Sequence, residues 1–427
     1  MHHSSHVIVR LAAAVVAGLM LFVLPGRAAG PTAKPEEVGL SAERLGRIRD
    51  AMRQHIEAGD FSGAVTLVAR KGRVAHLEAQ GRLDLKANTQ MPTDAIFRIA
   101  SMTKPIAATA IMMLMEEGKV RLSDPVSRFI PEFKALKVAV PIEASPAPTA
   151  ATARPAQPQF YTIPAAREIT VRDLLTHTSG LVSGGISASE AAKNPRKPTD
   201  TLADFIPQLA AVPLAFQPGS RWTYSPGAGF DTLGRIVEVI SGQTFDQFLR
   251  QRIFEPLGMK DTFFNAPDDR KSRRATMYQR TVEGLEIPAN QTPPAVTKYF
   301  SGGGGLMSTA EDYVQFGQML LNRGQLNGKR LLGPRTVDLM AAVHVPDTLP
   351  GRAPGRGFGL SVQVVSNAVA AGFRVSDGSY GWDGAFGTHF WVDPKEQIVG
   401  VLMVQTQNPN RQADRDFENA IMQAIVD

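Results

Sequence analysis

Cysteine is absent from this sequence of 427 residues. Its absence excludes a disulfide framework, a thiol nucleophile, a cysteine-ligated zinc site and a lipid-modified cysteine. The sequence also lacks a His-Glu-x-x-His pair and the Gly-Lys-Ser/Thr of a phosphate-binding loop, so no metal and no cofactor is indicated. The net charge is +6, but the basic residues are scattered, which gives nucleic-acid binding little support.

Long apolar runs are also scarce, with one exception near the start of the chain. Arg10 precedes an almost wholly apolar run over residues 11–24, and Pro25-Gly26-Arg27-Ala28 ends in small residues. This pattern is typical of an export signal, so we expect residues 1–28 to be a cleaved signal peptide and the mature protein to be periplasmic or secreted. The run is short for a membrane span, and no later stretch is long enough; a retained anchor is the alternative.

The most informative stretch is Ser101-Met102-Thr103-Lys104. If a helix starts at Ser101, residues three apart share one face, so the serine hydroxyl and the Lys104 amine can touch. A serine nucleophile needs a neighbouring base, and a lysine serves when burial or another cation lowers its pKa. Apolar residues at helical spacing follow as far as Gly118, which supports the helix. The spacing alone is weak evidence, because a capping serine with a solvated lysine produces it too.

Periodicity and turn signals predict the remaining elements. Helices are predicted over 41–59, 202–211, 230–240, 245–254, 309–321 and 413–425. Strands are predicted over 63–69, 73–77, 359–365, 387–392 and 398–404. Because strands lie near both ends of the chain with helices between them, we expect one sheet built from both termini.

Three segments carry loop-like compositions. Residues 135–164 are dominated by Ala and Pro, which favours an exposed insert over a core element. Residues 183–198 are predicted to form a loop. The glycine run at 302–305 is expected to approach another group closely or to bend sharply.

Five ordered motifs resemble a known superfamily. They are Ser101-Met102-Thr103-Lys104, the segment 174–181, the segment 216–225 with its Trp222-Thr223-Tyr224-Ser225, Glu255-Pro256-Leu257-Gly258-Met259, and Gly303-Gly304-Gly305-Leu306. Together they are similar to the serine β-lactamase and penicillin-binding-protein superfamily, on its class C β-lactamase and family VIII carboxylesterase branch, over nearly all the mature chain.

The resemblance implies an α/β (α+β) fold of the β-lactamase/transpeptidase type. In that fold an antiparallel sheet built from both chain ends is flanked by helices, and a mainly helical subdomain is added. The catalytic domain would span residues 29–427. Its sheet part would cover about 35–105 and 296–427, and its helical part about 106–295, including the Ala/Pro-rich insert at 135–164.

The resemblance also implies catalytic roles. Ser101 would be the acylated nucleophile with Lys104 as its partner, and Tyr224, as a phenolate, would take the serine proton and later activate water. An unperturbed tyrosine has a pKa of about 10, so its anion needs a cation such as Lys104 nearby. Taken alone, Tyr224 could equally be a buried ring with a satisfied hydroxyl. The backbone N–H groups of Ser101 and Ala385 would form the oxyanion hole, where one donor contributes about 2.7 to 4 kcal/mol.

Two departures from the β-lactamase pattern bear on the substrate. Pro226 stands where the second motif has Asn, and Trp382-Asp383-Gly384 stands where the third motif has Lys-Thr-Gly. The missing lysine would pair with the carboxylate of a β-lactam or muropeptide, whereas Trp382 favours a neutral, partly apolar acyl group. Asp383 is expected to orient a loop, or alternatively to bind a substrate amine.

Neither of two histidines is expected to be a triad base. His177 lies among Thr and Ser residues and should bond backbone, His389 lies in a predicted strand, and no Gly-x-Ser-x-Gly elbow occurs. The sequence therefore indicates an exported serine hydrolase that acts on small-molecule esters through a Ser101 acyl-enzyme. The alternatives are a β-lactamase, a D-amino-acid peptidase or amide hydrolase of the same fold, and a non-catalytic penicillin-binding-like cell-wall protein.

Overall fold

A computed structural model describes residues 32–142, 159–288 and 296–427. The expected signal peptide, residues 1–28, lies outside the described residues, and so does the middle of the Ala/Pro-rich insert. Within the described part of the chain, no helix is both long and apolar enough to cross a membrane.

An eight-stranded antiparallel sheet forms the centre of the fold. Its strands are, in chain order, β1 (Gly63–Arg70), β2 (Arg73–Asp84), β3 (Thr89–Gln90), β4 (Arg356–Phe358), β5 (Gln363–Val365), β6 (Tyr380–Asp383), β7 (His389–Asp393) and β8 (Ile398–Met403). Their order across the sheet is β4-β5-β6-β7-β8-β1-β2-β3, and β1 pairs with β8. The prediction of one sheet built from both chain ends is therefore confirmed.

Both faces of the sheet are covered, which explains why β1 is buried along its whole length. Successive side chains of a strand point to opposite faces. Leu67 and Val401 accordingly pack in the larger core, while Val68 and Leu402 pack in a second core on the opposite face. The first and last long helices, Arg47–Glu57 and Gln412–Met422, contact each other and cover this second core.

The central helix, Thr103–Glu116, is buried on all sides from Thr103 to Leu114. A helix that is apolar all round is typical of one enclosed by the core of a large protein. A 3-10 turn, Ala100–Met102, leads into it. Ala100 has a φ of 45°, and such left-handed strain at a non-glycine residue is typical of functional sites. The hydroxyl of Tyr313 donates to the Met102 carbonyl at 2.7 Å and fixes this turn.

Shorter elements complete the fold. The other α-helices are Ala42–Leu45, Val171–Leu175, Gly185–Ala191, Leu202–Phe205, Ala228–Ser241, Phe245–Leu249, Glu255–Leu257, Ala310–Leu321, Pro334–Ala341 and Ala368–Ala371, with a π turn at Arg250–Phe254. Further 3-10 turns are Pro35–Val38, Val126–Arg128, Pro131–Ala135, Ile206–Ala211 and Asp268–Arg273. Short strands pair outside the central sheet: Phe97–Arg98 with Met307–Ser308, Lys137–Pro141 with Phe160–Pro164, Gln325–Leu326 with Lys329–Arg330, and Tyr278–Arg280 with both Leu285–Glu286 and Thr406–Gln407.

Several sequence predictions need correction. The ends of the Ala/Pro-rich insert form the hairpin Lys137–Pro141 with Phe160–Pro164, and its Val138 and Ala139 are buried. The predicted loop at 183–198 contains a helix, Gly185–Ala191. The single strand predicted over 359–365 covers only part of the β4-β5 hairpin, and strand β6 was not predicted.

Candidate active site

Three side chains distant in sequence meet at the start of the central helix. The Ser101 Oγ lies 2.5 Å from the Tyr224 Oη, 123 residues further along the chain. It also accepts a hydrogen bond from the Lys104 Nζ at 3.1 Å. The lysine reaches the serine because the two residues are almost one helical turn apart. The structure therefore brings together the hydroxyl, the amine and the phenol that the sequence pattern singled out.

The segment 174–181 holds the Tyr224 backbone in place through His177 and Leu181. His177 has a φ of 57°, and its carbonyl accepts a hydrogen bond from the Thr223 N–H at 3.2 Å. Its Nδ1 accepts another from the Ser225 N–H, also at 3.2 Å, while the Ser225 hydroxyl donates to the Leu181 carbonyl at 2.8 Å. The residues on both sides of Tyr224 are thus fixed. His177 bonds backbone, as expected, and burial holds its pKa well below the usual value, so its ring is neutral.

Lys104 is fully buried and donates hydrogen bonds to two backbone carbonyls as well as to the Ser101 hydroxyl. Its Nζ donates to the carbonyl oxygens of Pro226 and Gly303, each at 2.6 Å. Burial lowers the pKa of Lys104 to about 7, because desolvation penalises the ammonium, and the nearby Asp231 carboxylate opposes that shift. Near neutral pH, a large fraction of Lys104 is therefore the free amine that can accept a proton.

The glycine run explains how a backbone carbonyl reaches the lysine. A Cβ on Gly303 would lie 2.7 Å from the Gly227 Cα, and one on Gly304 would lie 3.5 Å from the Ala100 carbonyl carbon. Residues 302–305 thus pack closely against the backbone on both sides of the site. A side chain at Gly303 would force these segments apart.

The pKa of Tyr224 moves in the opposite direction from that of Lys104. Burial raises it above the ordinary value, and the hydrogen bond with Ser101 only partly opposes the shift. This direction is contrary to what a resting phenolate requires. The Lys104 Nζ lies 4.9 Å from the centre of the tyrosine ring, so the two groups can stabilise each other once both are charged.

The expected oxyanion donors lie on adjoining segments. Gly384 packs directly on Ile99, since a Cβ there would lie 2.5 Å from the Ile99 carbonyl oxygen. This contact sets the next residue, Ala385, beside the serine segment. Within the described residues, the exposed Ala385 amide donates no hydrogen bond. The Ser101 amide lies at the helix start, where N–H groups lack intrahelical partners. Residues 384–388 connect strands β6 and β7 and are called the Gly384 loop below. Arg411 fixes this loop by donating a hydrogen bond to the Gly384 carbonyl at 2.6 Å.

Trp382 and Asp383 of the third motif lie at the end of strand β6, and Gly384 follows the strand. Trp382 is half-buried, with its ring centre 5.7 Å from that of Tyr224. The Asp383 carboxylate contacts the His389 Nδ1 at 2.6 Å. Although burial lowers the pKa of His389, its hydrogen bond to Asp383 and its ion pair with Glu418 raise it to about 10. Asp383 is therefore paired with an imidazolium.

The same cluster contains the kinds of atom that can bind a metal. Asp383, His389 and Asp414 offer ligand atoms within 4.8 Å of one another. A metal ligand must be a neutral imidazole, whereas His389 is held protonated between carboxylates. Asp414 is also paired with Arg411 at 3.2 Å. The donor set fits an ion-pair network that supports the Gly384 loop.

Sequence reasoning missed Asp231 and Arg411. Asp231 lies in the helix Ala228–Ser241 between the buried Phe230 and Leu233, so a carboxylate on an apolar face was the available signal. Arg411 lies in the chain before the last helix, and no local pattern relates it to the Gly384 loop.

Comparisons with known proteins agree with this geometry. The family model described as Beta-lactamase matches residues 48–424. The chain is 37% identical over 372 residues to Protein Rv1367c of Mycobacterium tuberculosis, covering 83% of this chain and 88% of the relative. It is 30% identical over 403 residues to Esterase EstB of Burkholderia gladioli, covering 88% and 93%.

Solved structures show the same fold. EstCE1, described as a hydrolase with promiscuous acyltransferase activity, superposes with a TM-score of 0.74 at 27% identity, covering 89% of this chain and 99% of the other. The match extends across both the sheet and the helical part. The chain therefore belongs to the beta-lactamase family, as a serine hydrolase related to its esterases.

Proposed function

We propose that this protein hydrolyses small-molecule carboxylic esters through an acyl-enzyme formed on Ser101. The observation that carries the proposal is the convergence of the Lys104 Nζ and the Tyr224 Oη on the Ser101 Oγ. A nucleophile within hydrogen-bond reach of a neutral amine and a phenol has both a base and an acid at hand.

Acylation starts from the neutral forms of all three side chains. The Ser101 Oγ attacks the ester carbonyl carbon, and its proton passes to the Lys104 Nζ, giving an ammonium. The carbonyl oxygen becomes an oxyanion that the amides of Ser101 and Ala385 bind. When the carbon–oxygen bond to the alcohol breaks, the Tyr224 hydroxyl donates its proton to the departing alkoxide. The acyl-enzyme then holds a lysine ammonium beside a phenolate.

Deacylation reverses both proton transfers. The Tyr224 phenolate takes a proton from water, and the resulting hydroxide attacks the acyl carbon. The Ser101 oxygen leaves and regains a proton from the Lys104 ammonium. The acid is released with all three side chains in their starting forms, so the cycle needs no metal or cofactor to balance its protons.

The charges around the third motif favour a neutral substrate. The His389 imidazolium forms ion pairs with Asp383 and Glu418. Arg411 forms an ion pair with Asp414 and donates a hydrogen bond to the Gly384 carbonyl. These cations are therefore already paired and do not replace the lysine that would bind a substrate carboxylate. The similarity to Esterase EstB, to the Lovastatin esterase of Penicillium rubens and to EstCE1 supports ester substrates.

The amide-hydrolase alternative has support of its own. The chain is 27% identical over 399 residues to an N-acetylmuramyl-L-alanine amidase of Bacillus subtilis. An amide needs stronger protonation of its leaving nitrogen than an ester does, which Tyr224 would have to supply. The two substrate classes can be separated directly by assay.

The decisive assay compares p-nitrophenyl butyrate with nitrocefin, using the intact protein and Ser101→Ala. We expect rapid ester cleavage, slow nitrocefin turnover, and loss of both in the variant. A fluorophosphonate probe should add its mass to the peptide that contains Ser101. Rapid nitrocefin turnover without ester cleavage would refute the ester assignment, and absence of probe labelling would favour a non-catalytic binding protein.

We also propose that the protein is exported and acts in the periplasm or outside the cell. The basic start and apolar run before residue 28 support this location. Fractionation of a bacterial host expressing the full chain, followed by N-terminal sequencing, should give a mature protein starting at Ala29. An uncleaved protein in the membrane fraction would instead support the retained anchor.

A further inference from the structure

Asp231 is a buried carboxylate that accepts hydrogen bonds from three groups. Burial raises its pKa, and these hydrogen bonds and the charge of Lys104 oppose that shift. Its Oδ2 accepts a hydrogen bond from the Tyr299 hydroxyl at 2.8 Å. Its Oδ1 accepts two more, from the Ser301 hydroxyl at 2.6 Å and the Gly303 N–H at 2.9 Å. Burying a carboxylate is costly unless it is paired and hydrogen-bonded, and three neutral donors supply only the hydrogen bonds.

Lys104 supplies the countercharge when it is in its ammonium form, and Gly303 connects the two groups. The N–H of Gly303 binds Asp231, while the carbonyl of the same residue accepts from the Lys104 Nζ at 2.6 Å. The helix that carries Asp231, Ala228–Ser241, also packs against the central helix that carries the lysine. Asp231 thus acts on Lys104 both through its charge and through the backbone it fixes.

Among the described residues, two other titratable side chains lie beside Lys104, and both are uncharged in the resting protein. Tyr224 is held as a neutral phenol and His177 as a neutral imidazole, both by burial. Ser101 is a hydroxyl. The Asp231 carboxylate is therefore the negative charge that acts on the ammonium, and it opposes the effect of burial.

We infer that Asp231 is a positioning residue for the proposed reaction: it holds the Gly303 carbonyl on Lys104 and stabilises the ammonium that forms when the lysine takes the serine proton. The inference rests on the proposed function. A fixed anion aimed at a charge that develops during acylation lowers the barrier without binding substrate. Its contribution should therefore appear in the pH dependence of acylation.

The test measures the rate of Ser101 labelling by a fluorophosphonate from about pH 5 to about pH 9. This range extends about two units on either side of the Lys104 pKa of about 7. Asp231→Asn keeps the shape and removes the charge. Tyr299→Phe and Ser301→Ala keep the charge and remove one donor each. Asp312→Asn is the matched control, since the buried Asp312 carboxylate also accepts from an amide, that of Asp261, and from a hydroxyl, that of Thr262, away from the site.

The expected result separates charge from placement. Asp231→Asn should move the midpoint of the labelling profile down by about one pH unit, because an ammonium without its anion loses its proton more readily, and should lower the plateau rate more than about tenfold. Tyr299→Phe and Ser301→Ala should lower the rate by a smaller factor and leave the midpoint unchanged. Asp312→Asn should leave both unchanged.

An Asp231→Asn protein that folds and keeps the wild-type midpoint and rate would overturn the inference. If that variant does not fold, wild-type rates in both Tyr299→Phe and Ser301→Ala would overturn it, and slowed labelling in them would support it. Absence of labelling in the unmodified protein is a different result: it would refute the proposed function, and the role of Asp231 with it.

Discussion

The lowered pKa of Lys104 makes a quantitative prediction about acylation. With a pKa of about 7, the fraction of neutral amine is about one-tenth at pH 6 and about nine-tenths at pH 8. The labelling rate of Ser101 should therefore rise about tenfold between these values and then level off. With an ordinary lysine pKa of about 10.4, the same rate would rise about a hundredfold over that range and continue to rise.

The assay is stopped-flow or quenched labelling with a fluorophosphonate, whose own reactivity is measured in Ser101→Ala. Lys104→Met removes the amine while keeping an unbranched apolar chain in the buried site. It should abolish the rise with pH and lower the rate by about 10² to 10⁴, the usual contribution of a general base. A rate that continues to climb tenfold per unit beyond pH 8 would refute the reasoning, because it would indicate a base with a raised pKa, such as Tyr224.

Three further substitutions test other parts of the site. Tyr224→Phe should slow acylation by alkyl esters more than acylation by p-nitrophenyl esters, whose leaving group needs no proton; equal losses in the single-turnover acylation rate would contradict an acid role. Gly384→Ala places a Cβ 2.5 Å from the Ile99 carbonyl oxygen and should lower kcat by about 10 to 10³ with little change in KM. Tyr313→Phe leaves the buried Met102 carbonyl without its 2.7 Å bond and should cost about 1 to 3 kcal/mol in urea unfolding; an unchanged midpoint would show that the turn is held otherwise.

The sequence predicts elements well where the signal is local. Ser41 caps the first helix and Thr309 caps the helix Ala310–Leu321, each by accepting from the amide three residues later. Strand β1 was predicted within one residue, because its alternating residues fill two cores. These features depend on neighbours along the chain, which a single sequence contains.

The errors share a different cause. Strand β6 contains Gly381 and Asp383, both poor strand formers, and it forms because β5 and β7 pair with it on either side. Asp383 therefore pairs with His389 across the hairpin. Arg411 and Asp231 reach the site only after distant segments have packed. Contacts of this kind depend on tertiary structure, and local pattern does not determine them.

Among the candidate site residues, Ser101 and Lys104 follow from spacing, and Tyr224 follows only from the superfamily resemblance. Nothing local relates residue 224 to residue 101, since the contact depends on the loop that His177 holds. The sequence also does not indicate how much burial each group experiences. For that reason the direction of the Tyr224 pKa shift could not be predicted, and the resemblance suggested a resting phenolate instead.

Burial acts on Lys104 and Tyr224 in opposite directions for one reason: it penalises whichever form is charged. The ammonium is disfavoured, so the pKa of Lys104 falls, and the phenolate is disfavoured, so the pKa of Tyr224 rises. Groups whose pKa values are pushed apart in this way are candidates for a base and an acid, and the proposal assigns these roles to Lys104 and Tyr224. In the proposed reaction, acylation starts from the neutral forms of both groups and charges both, with the Lys104 Nζ 4.9 Å from the centre of the Tyr224 ring. Their mutual attraction would then stabilise the proposed acyl-enzyme, and deacylation would return both groups to their neutral forms.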